Sequence, residues 1–213
     1  MCSASVFDID CQRCERLAGF LADVRRDHPD YHARPVAPFG ARDARLLIVG
    51  LAPGMHGANA SGRPFTGDFA GILLYQTLFD FGFASQPHSQ RDDGLVLHDC
   101  RITNAVKCLP PQNKPTPAEI RLCNGYLRAE LLSLPQRPVI LALGRIAHEA
   151  VLRAFDARPR DHVFAHAAEH RLANGARLLD SYHCSRYNTQ TRRLTEAMFR
   201  DVVARARQLL TAE

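Results

Sequence analysis

The chain has 213 residues, 46% of them hydrophobic and 23% charged, which is enough to bury one sizeable core, and nothing marks a second. Lys and Arg number 27 against 22 Asp and Glu, a formal charge of +5, a mild bias towards polyanionic partners such as nucleic acid. The N-terminus MCSASVFDID lacks a basic start followed by an apolar run, and no stretch approaches the ~20 apolar residues of a membrane helix, so one cytoplasmic domain over 1–213 without membrane contact is expected.

In chain order, a C-x-x-C pair, Cys11 and Cys14, heads an amphipathic helical pattern over roughly 11–27. RLLIVGL (45–51) is short, branched and bounded by Gly, and reads as a buried strand. A glycine-rich segment to Asp68 leads into a helix over 70–82, and CRITNAV (100–106) is the second strand. It opens into the proline-rich loop CLPPQNKPTP, at whose end Thr116, Pro117 and Glu119 have the pattern of a capped helix start, for a helix over 117–134. PVILALG (138–144) and ARLLDSYH (176–183) are further strands, with helices over 144–155 and 192–211. There is no internal repeat or low-complexity tract. Such alternation predicts a parallel sheet covered by helices on both faces. Ligands of that architecture bind beyond the carboxyl ends of the strands, where the unusual residues gather.

Segment 50–68 holds five glycines and two prolines, so its backbone can approach a ligand closely. It matches neither G-x-x-x-x-G-K-[ST] nor G-x-G-x-x-G, and is not a phosphate loop. Phe65 within it is either a plug over the core or a platform for a planar ligand. Asp68 either caps the following helix or orients a water molecule. Asn104 ends the second strand, where a carboxamide either caps backbone or reads the edge of an amide-containing heterocycle. His183 ends the last strand, with hydrogen-bonded structural support as its plainer use. A dyad of His183 with Cys184 is weak, because neighbours in extended chain point to opposite sides.

Seven cysteines in a chain expected in the cytosol suit ligands, catalysts or buried thiols better than disulfides. A C-x-x-C pair suits a disulfide, a zinc ion or an iron–sulfur cluster about equally. Cys108, after the second strand, and Cys123, in the helix after it, are available partners. Their spacing is not that of a zinc ribbon and leaves zinc, cluster or no metal open. Cys2, Cys100 and Cys184 stand outside the set, with Cys100 expected to be buried in its strand.

In combination, GLAPGMHGAN and GRPFTGD after the first strand, TNAVKCLPPQNKP after the second, LALGRIAHEAVL across the third and SYHCSRYNTQTRRLT after the fourth resemble the type B (family five) uracil-DNA glycosylases. The resemblance implies a three-layer α/β/α sandwich around a four-stranded parallel sheet. It also implies a [4Fe–4S] cluster on Cys11, Cys14, Cys108 and Cys123, and excision of uracil from DNA. Phe65 would stack on the extruded base, Asn104 pair with its edge, His183 face its other carbonyl, and Asp68 serve catalysis. Gly54 and Asn59 would line the base site, with Asn59 the second choice for holding water. Ser185, Arg186, Asn188 and Thr189, in the loop from Cys184 to Thr191, would contact the minor groove. Hypoxanthine and xanthine are possible further substrates, DNA is the partner, and a monomeric, nucleoid-associated enzyme is expected. Where several sister families carry an acidic or amide side chain after the first glycine, this chain has Leu51-Ala52. Two other classes stay open: a small-molecule nucleoside or amide hydrolase, and a non-catalytic damage-binding iron–sulfur module.

One position departs from the family: Cys184 follows the final-motif histidine where proline is usual. The missing φ restraint should loosen the loop. Cys184→Pro is expected to preserve or raise excision from duplex DNA in a base-release assay. A folded but inactive variant would instead give the thiol a chemical role.

Overall fold

A computed structural model of the chain describes residues 6–172 and 174–211, so Cys2 lies outside the described residues. Its sheet contains β1 (Phe39–Gly40), β2 (Leu46–Gly50), β3 (Cys100–Asn104), β4 (Val139–Leu143), β5 (Glu169–Arg171) and β6 (Arg177–Ser181), in the spatial order β1-β3-β2-β4-β6-β5. The inner four strands are parallel, as expected. The sheet nevertheless has six strands rather than four, because β1 and β5 add short antiparallel edges. Two and three residues are too few to show a period of two, so sequence pattern alone passes over them.

The layers follow from alternation along the inner strands. Every residue of β2 is buried, and successive side chains leave a strand on opposite faces. Leu46 and Ile48 pack with Leu74 and Leu78 of α3 (Phe69–Asp80) and with Phe199 and Val203 of α7 (Glu196–Thr211). Leu47 and Val49 pack with Leu127 and Leu131 of α4 (Pro117–Ser133) and Val151 of α5 (Arg145–Ala154). Each such side chain contributes about 1.5–3 kcal/mol by leaving water, so both faces of the sheet need helical cover. Among the described residues no helix is long and apolar enough to cross a membrane.

A third cluster joins α1 (Glu15–Asp27), through Leu17, Leu21 and Val24, to Val106, Leu109 and Tyr126. This helix begins later than the sequence pattern suggests: Cys14 is its extended N-cap, and Cys11 precedes it. The C-x-x-C pair therefore sits on the approach to the helix rather than inside it. Two ties fix that approach. Thr116 and Glu119 form the expected capping box at the start of α4, and both carboxylate oxygens of Glu119 accept from Arg16, at 2.8 and 2.7 Å.

β2 is central, with β3 on one side and β4 on the other. The connections leaving the adjacent strands β2 and β4 lead to opposite sides of the sheet, to β3 and towards β6, which opens a crevice at the carboxyl ends. Two short helices not foreseen, α2 (Ala58–Ser61) and α6 (Arg186–Gln190), lie in the loops around it.

Thr116→Ala removes the cap acceptor and is expected to cost about 1 kcal/mol, read as a lower urea midpoint with unchanged m-value.

Candidate active site

At the carboxyl ends of the strands lies a cavity of about 380 Å³ whose walls include Leu51, Ala52, Gly54, Phe65, Asp68, Asn104 and His183. Its architecture starts with glycines. A Cβ on Gly50 would stand 2.6 Å from the Phe65 ring and collide with the Asn104 carboxamide, so only glycine lets these two side chains meet over the end of β2. A Cβ on Gly71 would collide with the Phe65 carbonyl oxygen, and one on Gly57 would sit 2.6 Å from the Asp68 Cβ.

Phe65 has φ +56°, an uncommon region for an aromatic residue that the surroundings must hold in place. Tyr75 Oη donates to the Pro64 carbonyl at 2.8 Å, and Thr66 Oγ1 lies 2.7 Å from Ser89 Oγ. Arg63 donates to Ser89, to the Gln90 carbonyl and to Asp93, the last at 2.6 Å. Burial works against the Asp93 charge, but Arg63 and the Gln90 and Leu95 amides bring its pKa down to about 2. Sequence reading missed Asp93 as a brace for this loop. It belongs to no motif, and nothing in its spacing joins it to Arg63. The Phe65 ring stacks near His183, with centroids 5.9 Å apart and planes inclined by 26°.

Asn104 ends β3, buried, and no protein group hydrogen-bonds its carboxamide among the described residues. Its donor and acceptor are available to a ligand, which favours edge reading over backbone capping. His183 stands two residues beyond β6 rather than at its end. Desolvation alone pushes its pKa down to about 4, so the imidazole is neutral near pH 7. A neutral ring can donate one N–H without bringing a charge into the cavity.

Asp68 takes the capping role that the sequence offered and also lines the cavity. It is the N-cap of α3, with Oδ1 accepting from the Gly71 amide at 2.9 Å. Its other oxygen faces the glycine loop: a Cβ on Gly54 would lie 3.9 Å from Oδ2. Burial raises the Asp68 pKa above the ordinary carboxylate range, outweighing the Gly71 and Ala70 amides that oppose it. Asn59 does not join the group. It is fully buried with both carboxamide atoms unpartnered, and it lies outside the cavity wall. As a water holder for the base site, Asn59 is thus set aside. Gly54 does line the cavity.

In the loop after β6, Ser185 lines the cavity and Thr189 the groove outside it, while both also hydrogen-bond within the loop. Ser185 caps α6 by accepting from the Asn188 amide, Asn188 Nδ2 donates to the His183 carbonyl at 2.8 Å, and Thr189 bonds the Ser185 and Arg186 carbonyls. Those three side chains hold the loop itself. Arg186, over the Phe69 ring at 5.1 Å, and Tyr187, 70% exposed, face outward. Tyr187 was not singled out from sequence, nor was Asn113, which joins the cavity wall from the proline-rich loop. A groove of about 1050 Å³ continues outward, sharing Phe65, Asp68, Phe69 and Arg186 with the cavity and ending near Arg192 and Leu194. Cys184 is fully buried in the core between sheet and α7. Its thiol is pushed up to about 12 by burial and then by Asp68, which removes it as a nucleophile.

On the far side of the glycine loop, Cys11, Cys14, Cys108 and Cys123 line one small cavity with Leu17, Val106 and Tyr126. None of them forms a disulfide. Burial raises Cys14 to about 11, and Cys108 and Cys123 are raised as well, also first by burial. Deprotonating one of these clustered thiols raises its neighbours further, and with the Lys107 amide donating at 3.3 Å to Cys123 Sγ they form a donor set that a bound metal group would satisfy. Cys100 is buried in β3, as expected, away from this set.

Residues 37–207 match the family model of the Uracil DNA glycosylase superfamily, and the chain belongs to that superfamily. Within it, the chain is 48% identical to the Type-5 uracil-DNA glycosylase of Thermus thermophilus over 205 residues, 93% of each chain. It is 41% identical to the Type-5 enzyme of Pyrobaculum aerophilum, over 93% of this chain and 88% of that one. These relatives place it in the Type-5 family. The crystal structure of wild-type Pedobacter heparinus SMUG2 shares the fold, with TM-score 0.50 and 12% identity over 99% of this chain and 92% of that one.

Asp68→Asn keeps a good helix cap while removing a buried charge. Because the folded-state pKa is raised, the ionised carboxylate costs stability at pH values above it and ceases to do so as pH falls through it. The variant is therefore expected to match or exceed the wild-type thermal midpoint at pH 7, yet to lose at least tenfold in base release. Lower stability with unchanged excision would return Asp68 to capping alone.

Proposed function

We propose that the protein is a monofunctional uracil-DNA glycosylase that receives an extruded uracil in the cavity and hydrolyses its N-glycosidic bond to leave an abasic site. The observation carrying this reading is the meeting of Phe65, Asn104, His183 and Asp68, from three separate segments, on one cavity of base-accommodating size. Phe65 supplies a stacking face, worth ~1–3 kcal/mol and indifferent to base identity. Asn104 offers the donor–acceptor pair that suits a carbonyl and imide better than the amine of cytosine.

As the bond to C1′ breaks, the base departs with the electron pair and the sugar becomes oxocarbenium-like. A neutral His183 donating to the base carbonyl helps most when negative charge has developed there. The free oxygen of Asp68 faces the glycine loop, where a carboxylate can balance the sugar charge or take a proton from the incoming water. The water oxygen ends on C1′ and the base leaves protonated. Leu51 and Ala52 make an apolar stretch of wall that imposes no hydrogen-bond requirement, which supports tolerance of hypoxanthine or xanthine. The outward groove, with Arg186 and Arg192 along it, suits the phosphate backbone on either side of the lesion.

Cys11, Cys14, Cys108 and Cys123 fit a [4Fe–4S] cluster by their donor chemistry, four thiols with no competing ligand type. When bound, such a cluster supplies iron–thiolate bonds that fasten the start of α1 to the segment leaving β3. Loss of a cysteine should then cost folding before chemistry. The pure protein is expected to be brown, absorb broadly near ~400 nm and carry about four irons per chain.

The test of function is base release from single- and double-stranded oligonucleotides carrying uracil, hypoxanthine or xanthine, without added metal or nucleotide. Free uracil is expected, with excision weakening steeply as salt rises because phosphate contacts release counterions. Binding without base release would leave a damage-binding module, and salt-indifferent cleavage of free nucleosides would leave a small-molecule hydrolase.

A further inference from the structure

Behind the sheet from the core of α3 and α7, three metal-ligating side chains converge that the glycosylase reading does not use. They are His148 of α5, His170 of β5 and Asp180 of β6, and one ligand atom from each lies within 4.8 Å of the others. His148 Nδ1 is 2.8 Å from Asp180 Oδ1, and His170 Nε2 is 3.1 Å from Asp180 Oδ2. Asp180 and His148 are buried, at 0% and 1% exposure, whereas His170 is half-buried and gives the group a route to solvent. None of the three lines the base cavity or the groove beside it.

The orientation of His148 is the informative feature. Its Nε2 lies 2.9 Å from the His162 carbonyl, a contact that requires Nε2 to be the donating nitrogen. Nδ1 is then the nitrogen turned to the carboxylate, and at 2.8 Å it shares a second proton with Asp180 Oδ1, which an incoming metal ion would displace. Metal-binding histidines show this arrangement: one ring nitrogen on the metal, the other donating to a backbone carbonyl that fixes tautomer and ring plane. The donors are also rigidly mounted. His170 pairs with Leu178 across the antiparallel β5–β6 ladder, and α5 packs over the same face of the sheet through Ala147 and Val151.

We propose that His148, His170 and Asp180 bind a divalent transition metal of the zinc class, which clamps the β5–β6 hairpin to α5. Two imidazoles and one carboxylate suit zinc, cobalt or nickel rather than the all-oxygen preference of magnesium or calcium. With metal–ligand distances near 2.0–2.2 Å, tetrahedral neighbours stand about 3.3 Å apart, so shifts of under about 1 Å per ligand convert the hydrogen-bonded cluster into a coordination shell. Water or His162, whose ring lies edge-on to His170 at 5.5 Å, completes the shell. β6 runs from Asp180 through Ser181 towards His183, so the clamp fixes the strand end that presents the catalytic imidazole. The alternative is a relay in which His148 and His170 simply share protons with Asp180.

The test uses iron-replete, full-length protein equilibrated with zinc sulfate, desalted and analysed for zinc and iron per chain. Wild type is expected to retain one zinc beyond its iron, and His170→Gln, at the half-buried ligand, to bind it at least tenfold more weakly with iron content unchanged. Zinc is expected to raise the thermal midpoint of wild type and not of the variant. X-ray absorption at the zinc edge of wild type gives a reading independent of any variant: a nitrogen and oxygen shell near ~2.0–2.1 Å supports the site, and a sulfur shell near ~2.3 Å assigns the zinc to the cysteines. Wild type without retained zinc, equal retention by His170→Gln, or a sulfur shell overturns the proposal and leaves the proton-sharing relay.

Discussion

The end of β2 has no room for a side chain, and the whole site is arranged around that constraint. A Cβ at Gly50 would meet the Phe65 ring at 2.6 Å and displace the Asn104 carboxamide from the same point. Phe65 arrives from the loop before α3, Asn104 from β3 in register with Gly50, and the two meet only because the strand between them ends in glycine. Around this contact the backbone strain at Phe65 is held by neighbours outside the cavity wall. Tyr75 holds the Pro64 carbonyl, and the half-buried Arg63–Asp93 pair holds the segment from outside. Arranging such a site uses folding stability, and the sheet core beneath it supplies that stability through side chains buried on both faces.

Burial also sets the protonation states on which the proposed chemistry depends. The same desolvation lowers His183 and raises Asp68, because it disfavours whichever form carries charge. The imidazole is thereby neutral at working pH, and the carboxylate is a stronger base than one in water. Cys184, next to the histidine in sequence, is silenced by the same effect. Adjacent residues thus take opposite parts, one on the cavity wall and one in the core, because consecutive side chains leave the chain in different directions.

The cysteines and the histidine–aspartate group lie away from the cavity but next to the elements that carry its walls. Glu119 links the capping box of α4 to Arg16 of α1, so the four thiols are framed by protein contacts as well as by any metal group. Val106 and Leu109, in the loop leaving β3, share the apolar cluster of α1, which couples that frame to the strand bearing Asn104. Towards the other edge of the sheet, His148 and His170 hold Asp180 within the strand that leads to His183. Asn104, at the end of β3, and His183, two residues beyond β6, are therefore both carried by strands braced behind the cavity.

The sequence by itself determined the four inner strands, the five long helices and the capping box at Thr116, because these follow from local period and local hydrogen bonding. Motif resemblance also named Phe65, Asp68, Asn104 and His183, which the structure brings to one cavity. Tertiary structure decided the rest. Two edge strands were too short to carry a pattern. Asn59 proved to lie outside the cavity wall, and Ser185, Asn188 and Thr189 to hydrogen-bond within their own loop, because residue type does not say what a side chain meets. Asp93 under Arg63, and His148 beside His170 and Asp180, are separated by 10 to 32 residues. Such partnerships leave no trace in spacing: they exist only once the sheet has brought its strands and helices side by side.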